Sequence, residues 1–178
     1  MMRWIYIMML SGCFFHNAEA QYDINSWHYG LAITKGLGSA RELGAGVRIE
    51  YAMNCSTTFL GEYNRSFFLD SNPEDSEYNE LALGVNIILF NWYPTTITAG
   101  IGYIGNDSAI FESIEKDAYL SFRTGDFNHG AQIKFRMIHR IGSSLNIFAE
   151  LNIKSLGRHY DTLGIGFNYD FFGRKFKI

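Results

Sequence analysis

Proline and cysteine are both scarce, with two of each in 178 residues. The scarcity of proline excludes a proline-rich linker or polyproline recognition segment. Two cysteines, Cys13 and Cys55, exclude a disulfide-dense secreted scaffold and a cysteine-rich zinc site. Neither sign of charge dominates. The formal net charge is −3 at neutral pH, which leaves no basic footprint for nucleic acid. No segment after the N-terminus approaches the ~20 consecutive apolar residues of a membrane-crossing helix. There is no linker, low-complexity tract or charge block, and no G-x-S-x-G or H-E-x-x-H signature. What is plentiful is aromatic side chain, 16% of the chain, and glycine, at 18 positions.

The first residues carry the features of an export signal. Arg3 supplies a positive n-region, Trp4 to Phe15 an apolar core, and Ala18-Glu19-Ala20 a small-residue cleavage site. The spacing predicts a signal peptide over residues 1–20, a single domain over 21–172 and a short basic tail over 173–178. Leu10-Ser11-Gly12-Cys13 also resembles a lipobox, so lipidation at Cys13 is the alternative. Once the signal is removed, Cys55 has no intramolecular partner.

The rest of the chain is a series of runs of roughly 10 to 13 residues separated by turn chemistry, the sequence pattern of a membrane β-barrel. The expected strands are 24–35, 41–52, 57–68, 78–91, 95–105, 127–139, 144–155 and 160–172. Met53 to Ser56, Trp92 to Pro94 and Arg140 to Ser143 read as tight turns. Residues 69–77 and 106–126 read as longer, acidic loops. Gly36 to Ala40 and Leu156 to His159 are shorter connections at the same end as the long loops. The expected fold is all-β, a closed antiparallel up-and-down transmembrane barrel of eight strands. Ten strands is the alternative, because Ala118 to Thr124 reads either as a strand extension or as part of an added pair. An even strand count puts both termini on the side of the short turns.

Period-two alternation separates two faces. Leu43, Ala45, Val47, Ile49 and Tyr51 alternate with Gly44, Gly46, Arg48 and Glu50. Leu81, Leu83, Val85, Ile87 and Leu89 oppose Ala82, Gly84 and Asn86. Ala131, Ile133, Phe135 and Met137 oppose Gln132, Lys134 and Arg136. Leu145, Ile147, Ala149, Leu151 and Ile153 oppose Asn146, Glu150, Asn152 and Lys154. A soluble barrel would turn the apolar face inward. Strand length, a glycine-rich polar face, and Trp27 and Trp92 at one end as an interfacial belt favour the apolar face toward lipid.

The inward face then holds Arg48, Lys134, Arg136 and Lys154 with Glu50, Glu62, Glu150 and Asp170, four of each sign. His28, Thr34, Asn64, Asn86, Asn146, Asn152 and Asn168 add hydrogen-bonding groups. Such a set is an ion path if wet and a structural plug if paired. The bore of an eight-stranded barrel, just wide enough for side chains to fill, favours the plug. Asp126, His129, His159 and Asp161 fall at the rim but spell no nucleophile–base–orienter set, so no catalytic residue is assigned. Asp70 to Asp75 offers oxygen ligands but lacks the turn glycine and distal glutamate of a calcium loop. No metal and no cofactor are expected.

The last strand, Thr162-Leu163-Gly164-Ile165-Gly166-Phe167-Asn168-Tyr169, orders its residues as polar, x, Gly, x, x, aromatic, x, aromatic. Thr162, Gly164, Phe167 and Tyr169 thereby resemble the C-terminal assembly signal of bacterial outer-membrane barrels. The chain from 21 to 172 is similar to the small eight-stranded outer-membrane protein group, the OmpA transmembrane domain and OmpX-like barrels. It departs from that group in continuing past the aromatic residue, through Gly173 to Ile178. The resemblance implies the outer membrane of a Gram-negative bacterium, with loops 69–77 and 106–126 extracellular. It implies as partners outer-membrane lipid and lipopolysaccharide, the barrel-assembly machinery, and a protein met through the outer loops. No peptidoglycan-binding domain follows, so a wall anchor is not expected. The implied role is a non-enzymatic surface barrel in envelope structure, surface interaction or a larger complex. The alternatives are a narrow porin or transporter, or a lipid-modifying enzyme acting at the rim.

Overall fold

The structure, a computed structural model, describes residues 24–38, 42–68, 77–108, 119–157 and 160–171. The signal region, Cys13, residues 70–75, His159 and the basic tail lie outside them. Nine strands are present: β1 (Trp27–Gly36), β2 (Glu42–Ala52), β3 (Thr57–Phe68), β4 (Glu77–Trp92), β5 (Thr95–Asn106), β6 (Phe122–Thr124), β7 (Phe127–Arg140), β8 (Leu145–Lys154) and β9 (Thr162–Asp170). Eight of them close an antiparallel ring, since β1 pairs with both β2 and β9 and β5 pairs with β7.

The short β6 is not a stave of the ring. Its three residues pair only with Phe127–His129 of β7, beyond the point where β8 has ended. Residues 122–124 therefore belong to a hairpin rising above the ring, and the ten-stranded alternative is set aside. The outermost strands are also shorter than expected. β1 starts at Trp27 rather than 24, and β9 runs 162–170 rather than 160–172.

The register fixes the shape. Paired residues run Arg140, Asn146, Asn168, Gly30, Arg48, Glu62, Ala82, Ile104 and Gly130, returning to β7 ten residues from the start. With a rise of ~3.3 Å per residue and ~4.8 Å between strands, that stagger tilts the strands by about 41°. Sequence chemistry sets the turns. Asn54 Oδ1 accepts from the backbone N–H of Ser56 at 2.9 Å and of Thr57 at 2.8 Å, a side-chain-closed turn between β2 and β3.

The two faces carry opposite chemistry. Ile101, Ile165 and Ile33 are more than 60% exposed on the outside, whereas Arg136 and Glu50 are completely buried inside. An outward face this consistently apolar on every strand of the ring is what hydrocarbon contact requires. The soluble, apolar-inward arrangement is excluded. One detail of the face reading changes. The register between β4 and β5 shifts between Ile88 and Phe90, so Phe90 and Trp92 face outward in place of a continued Leu89 row.

The interior is layered. Near the short turns, Ala32, Ala52, Ile138 and Phe148 form one apolar cluster with Ile88 against it. At the opposite end, Tyr78, Ala82, Ile104, Leu156 and Tyr160 form another. Ionic side chains fill the space between.

Candidate functional site

Inward parity brings the charged residues together because each closing strand contributes one or two at similar depth. Arg48 lies opposite Glu62 on β2 and β3, and Arg136 opposite Glu150 on β7 and β8. Closure then joins partners far apart in sequence. Arg48 Nη2 is 2.5 Å from Glu62 Oε1 and 2.7 Å from Glu150 Oε1. Lys134 Nζ donates to Glu62 and stands 3.7 Å from Glu150. These four side chains, each at most 4% exposed, make an alternating ring of two cations and two anions. The Arg48 guanidinium also lies 3.9 Å from the centre of the Phe148 ring, a cation–π contact.

One layer toward the short turns, Arg136 forks onto Glu50 with Nη1–Oε2 at 2.9 Å and Nη2–Oε1 at 3.0 Å. Thr58 donates to the same carboxylate at 2.5 Å. One layer the other way, Lys154 Nζ meets both oxygens of Glu80, at 2.9 and 2.8 Å. Glu80 was not in the charge set read from sequence, although it has the inward parity of Asn86. Asp170, which was in it, stands at the short-turn end in register with His28, whose Nε2 is 2.9 Å from Ser26 Oγ.

Sequence reasoning also missed the outer closure. The β8–β9 connection reads as a plain surface link, yet Leu156 and Tyr160 are fully buried in the barrel mouth. Tyr160 meets Tyr78 edge-on at 5.7 Å, and Tyr78 donates to Glu42 at 2.5 Å. Burial pushes the Tyr160 phenol up to about 12.

Glycines make this packing possible. A Cβ on Gly164 would stand 2.9 Å from Glu150 Cγ and 3.0 Å from its Oε1. Of the four residues of the final-strand motif, Gly164 and Thr162 thus face inward, while Phe167 and Tyr169 face outward. Thr162 is within reach of Asn152, whose Nδ2 donates to its Oγ1 at 3.2 Å. Trp27 opens β1 and Trp92 ends β4. Both are outward, 39% and 64% exposed, at the end holding the short turns.

Among the described residues, the rim groups do not converge on a nucleophile. His129 faces outward with Nδ1 2.7 Å from Tyr103 Oη. Asp161 accepts the Lys154 backbone N–H at 2.8 Å, and Asp126 is exposed, 4.0 Å from Arg123. Among the described residues no group of three or more His, Cys, Asp or Glu is placed to hold a metal ion.

No protein-family model and no curated protein matches this chain. Its fold does match solved structures. The structure of neisserial surface protein A aligns with a TM-score of 0.59 at 14% identity, covering 82% of this chain and 96% of that one. A de novo designed transmembrane β-barrel aligns at 0.58 and 10% identity, covering 84% and 98%. The N-terminal β-barrel domain of Pseudomonas aeruginosa OprF aligns at 0.56 and 13%, covering 83% and 98%. The chain therefore has the fold of small eight-stranded outer-membrane barrels. That a designed barrel matches as well as natural ones shows that the likeness concerns shape and not role.

Proposed function

We propose that this protein is a non-enzymatic outer-membrane barrel of a Gram-negative envelope, sealed to solutes, that serves envelope structure or surface interaction. Loops 69–77 and 106–126 are placed on the extracellular side. The likeness to outer-membrane barrels supports the location. The apolar waist meets outer-membrane lipid and lipopolysaccharide. Thr162, Gly164, Phe167 and Tyr169 present the strand to the barrel-assembly machinery, and the outer loops offer a surface to a protein partner.

The observation that carries the sealed reading is the Arg48–Glu62–Lys134–Glu150 ring, with ion pairs stacked on either side of it. Each charge in that column has an opposite charge within 4 Å, so a permeating ion would have to break an existing buried pair to pass. Apolar clusters close the column at both ends.

The test is conductance. Purified, refolded protein in a planar bilayer is expected to give no steady ion current. Regular, reproducible channel steps would refute the sealed interior and make the chain a narrow porin. Migration on a denaturing gel that differs between unboiled and boiled samples checks the barrel itself, and recovery as a soluble periplasmic protein would refute the location.

A further inference from the structure

The outer wall is not the same all round. At the rim away from the short turns, β3, β4, β5 and β7 carry a crown of outward-facing polar and aromatic groups. Arg65 Nη2 donates to Glu77 at 2.7 Å. Tyr63 donates to Asn79 Oδ1 at 2.7 Å, and Asn79 donates through its backbone N–H and side chain to Asp107 at 2.6 and 2.9 Å. Tyr103 Oη is 2.7 Å from His129 Nδ1, and Phe122 stacks on the His129 ring at 4.7 Å and 15°. Across the barrel, the topmost outward residues described on β8, β9, β1 and β2 are Ile153, Leu163, Lys35 and Leu43.

Below the crown runs an apolar groove of about 950 Å³, lined on β3–β5 and β7 by Gly61, Leu83, Ile101 and Ile133 and reaching Trp27, Ile49 and Tyr51 of β1 and β2. The two features are continuous along each strand. Tyr63 follows Gly61, Tyr103 follows Ile101, and His129 and Ala131 precede Ile133 at two-residue steps on one face.

We propose that this wall holds a lipid with an uncharged saccharide head, the head on the crown and an acyl chain in the groove. The inference rests on the membrane placement proposed above. The side chains of Asn79, Asp107 and Glu77 offer donors and acceptors that match adjacent sugar hydroxyls. The Phe122–His129 stack offers a flat face for the apolar side of a sugar ring. Charge argues against an anionic head. Glu77 and Asp107 outnumber Arg65 by one negative charge, and the Arg65 guanidinium is already committed to Glu77. The groove below supplies the apolar half that a free glycan would not use.

The experiment uses the refolded full barrel in phosphatidylcholine vesicles. A diglycosyl diacylglycerol with a diazirine on one acyl chain is photo-crosslinked and the sites are mapped by mass spectrometry. Diazirine phosphatidylcholine and diazirine phosphatidylglycerol serve as controls. Glycolipid crosslinks are expected on β3–β5 and β7 in about tenfold excess over the opposite wall, the effect of one or two hydrogen bonds. The controls are expected to label both walls evenly. Asp107→Ala with His129→Ala, and separately Gly61→Leu filling the groove, should each erase the excess. A Cβ on Gly61 would meet the Ile49 and Leu83 side chains at 3.4 and 3.6 Å, ordinary contact, so the strand need not distort to take it. Leu163→Ala on the opposite wall should leave the excess unchanged.

Even labelling by the glycolipid, or an excess that survives the crown variant, overturns the proposal. Equal enrichment of phosphatidylglycerol means recognition by charge and overturns the saccharide. Competition by free disaccharide as effective as by the glycolipid overturns the lipid. Every variant is first checked for the gel shift of a folded barrel, and Asp107→Asn is the milder substitute should the double variant not fold. None of these outcomes bears on conductance, so failure here leaves the sealed-barrel reading standing.

Discussion

Removing Glu150 isolates the central assumption that the interior is dry and paired. Its carboxylate takes a hydrogen bond from Arg48 at 2.7 Å and lies 3.7 Å from Lys134, and its side chain is 1% exposed. In Glu150→Ala, Arg48 and Lys134 share the single carboxylate of Glu62, and the ring gains one net positive charge. Breaking a buried pair in this way costs about 3 to 5 kcal/mol. Glu150→Gln keeps the volume, so its loss measures the charge without the cavity. Adding Lys134→Met to Glu150→Gln restores neutrality and removes the surplus cation, and most of the loss should return, since apolar replacement of a buried pair is close to neutral. The assay is equilibrium urea unfolding of the refolded barrel, read by tryptophan fluorescence. A loss below about 1 kcal/mol for both single variants would mean that water already screens these charges, and the dry, paired interior would be refuted. A double variant no more stable than Glu150→Gln would refute the compensation within the ring.

Gly164→Ala should destabilise the barrel by about 1 to 3 kcal/mol through contact with Glu150, and Glu150→Ala should relieve much of that in a double-mutant cycle measured by the same unfolding. Phe167→Asp with Tyr169→Asp places two charges on the lipid face, each costly in proportion to its depth. Outer-membrane fractions should then hold little of the double variant, and normal levels would contradict an assembly role for that strand. Tyr160 ionises at about 12 in the fold and near 10 when unfolded. Its burial therefore adds stability that is complete below ~10 and is lost as pH rises toward 12. Tyr160→Phe should flatten that alkaline decline in unfolding measured between pH 9 and 12.

The barrel was legible because its two faces obey opposite rules at successive residues. Leu43 to Tyr51 on β2 could be read by parity alone, and Arg48 and Glu50 fell inside with no knowledge of neighbours. Partners were less legible. Lys154 and Glu80 are 74 residues apart, and nothing local to either strand pairs them until the ring closes with a particular stagger. The Leu156 and Tyr160 plug was hidden for a different reason. Leu156 reads as part of a surface connection and Tyr160 as the start of a strand, and only their packing with Tyr78 and Ile104 in the mouth draws them inward. Phe148 has inward parity among polar neighbours, and nothing on its own strand says what an apolar ring does there. In the structure its ring faces Arg48. Likewise, whether Ala118 to Thr124 reads as a strand extension or as part of two further staves depends on what β7 has left unpaired, and for residues 122–124 that is set by where β8 ends.

The position of the bulge follows from the same opposition of faces. A one-residue slip in a strand exchanges its two faces, so in most of this barrel it would push a charge into hydrocarbon or a leucine into the ionic column. On β2 it would turn Arg48 and Glu50 outward, and on β8 it would do the same to Glu150 and Lys154. On β4 the stretch Ile87-Ile88-Leu89-Phe90 is apolar on both faces, at the level where the interior itself is apolar. There the shift exchanges one aliphatic side chain for another. It leaves Asn86 inside before the bulge and turns Phe90 and Trp92 outward after it. Among the described pairings this is the one irregular register, and it falls where neither the lipid nor the ion pairs oppose it. An inserted glycine after Asn86 should accordingly be tolerated. The same insertion after Arg48 or after Glu150 should abolish the folded gel form, because it inverts every charge beyond it.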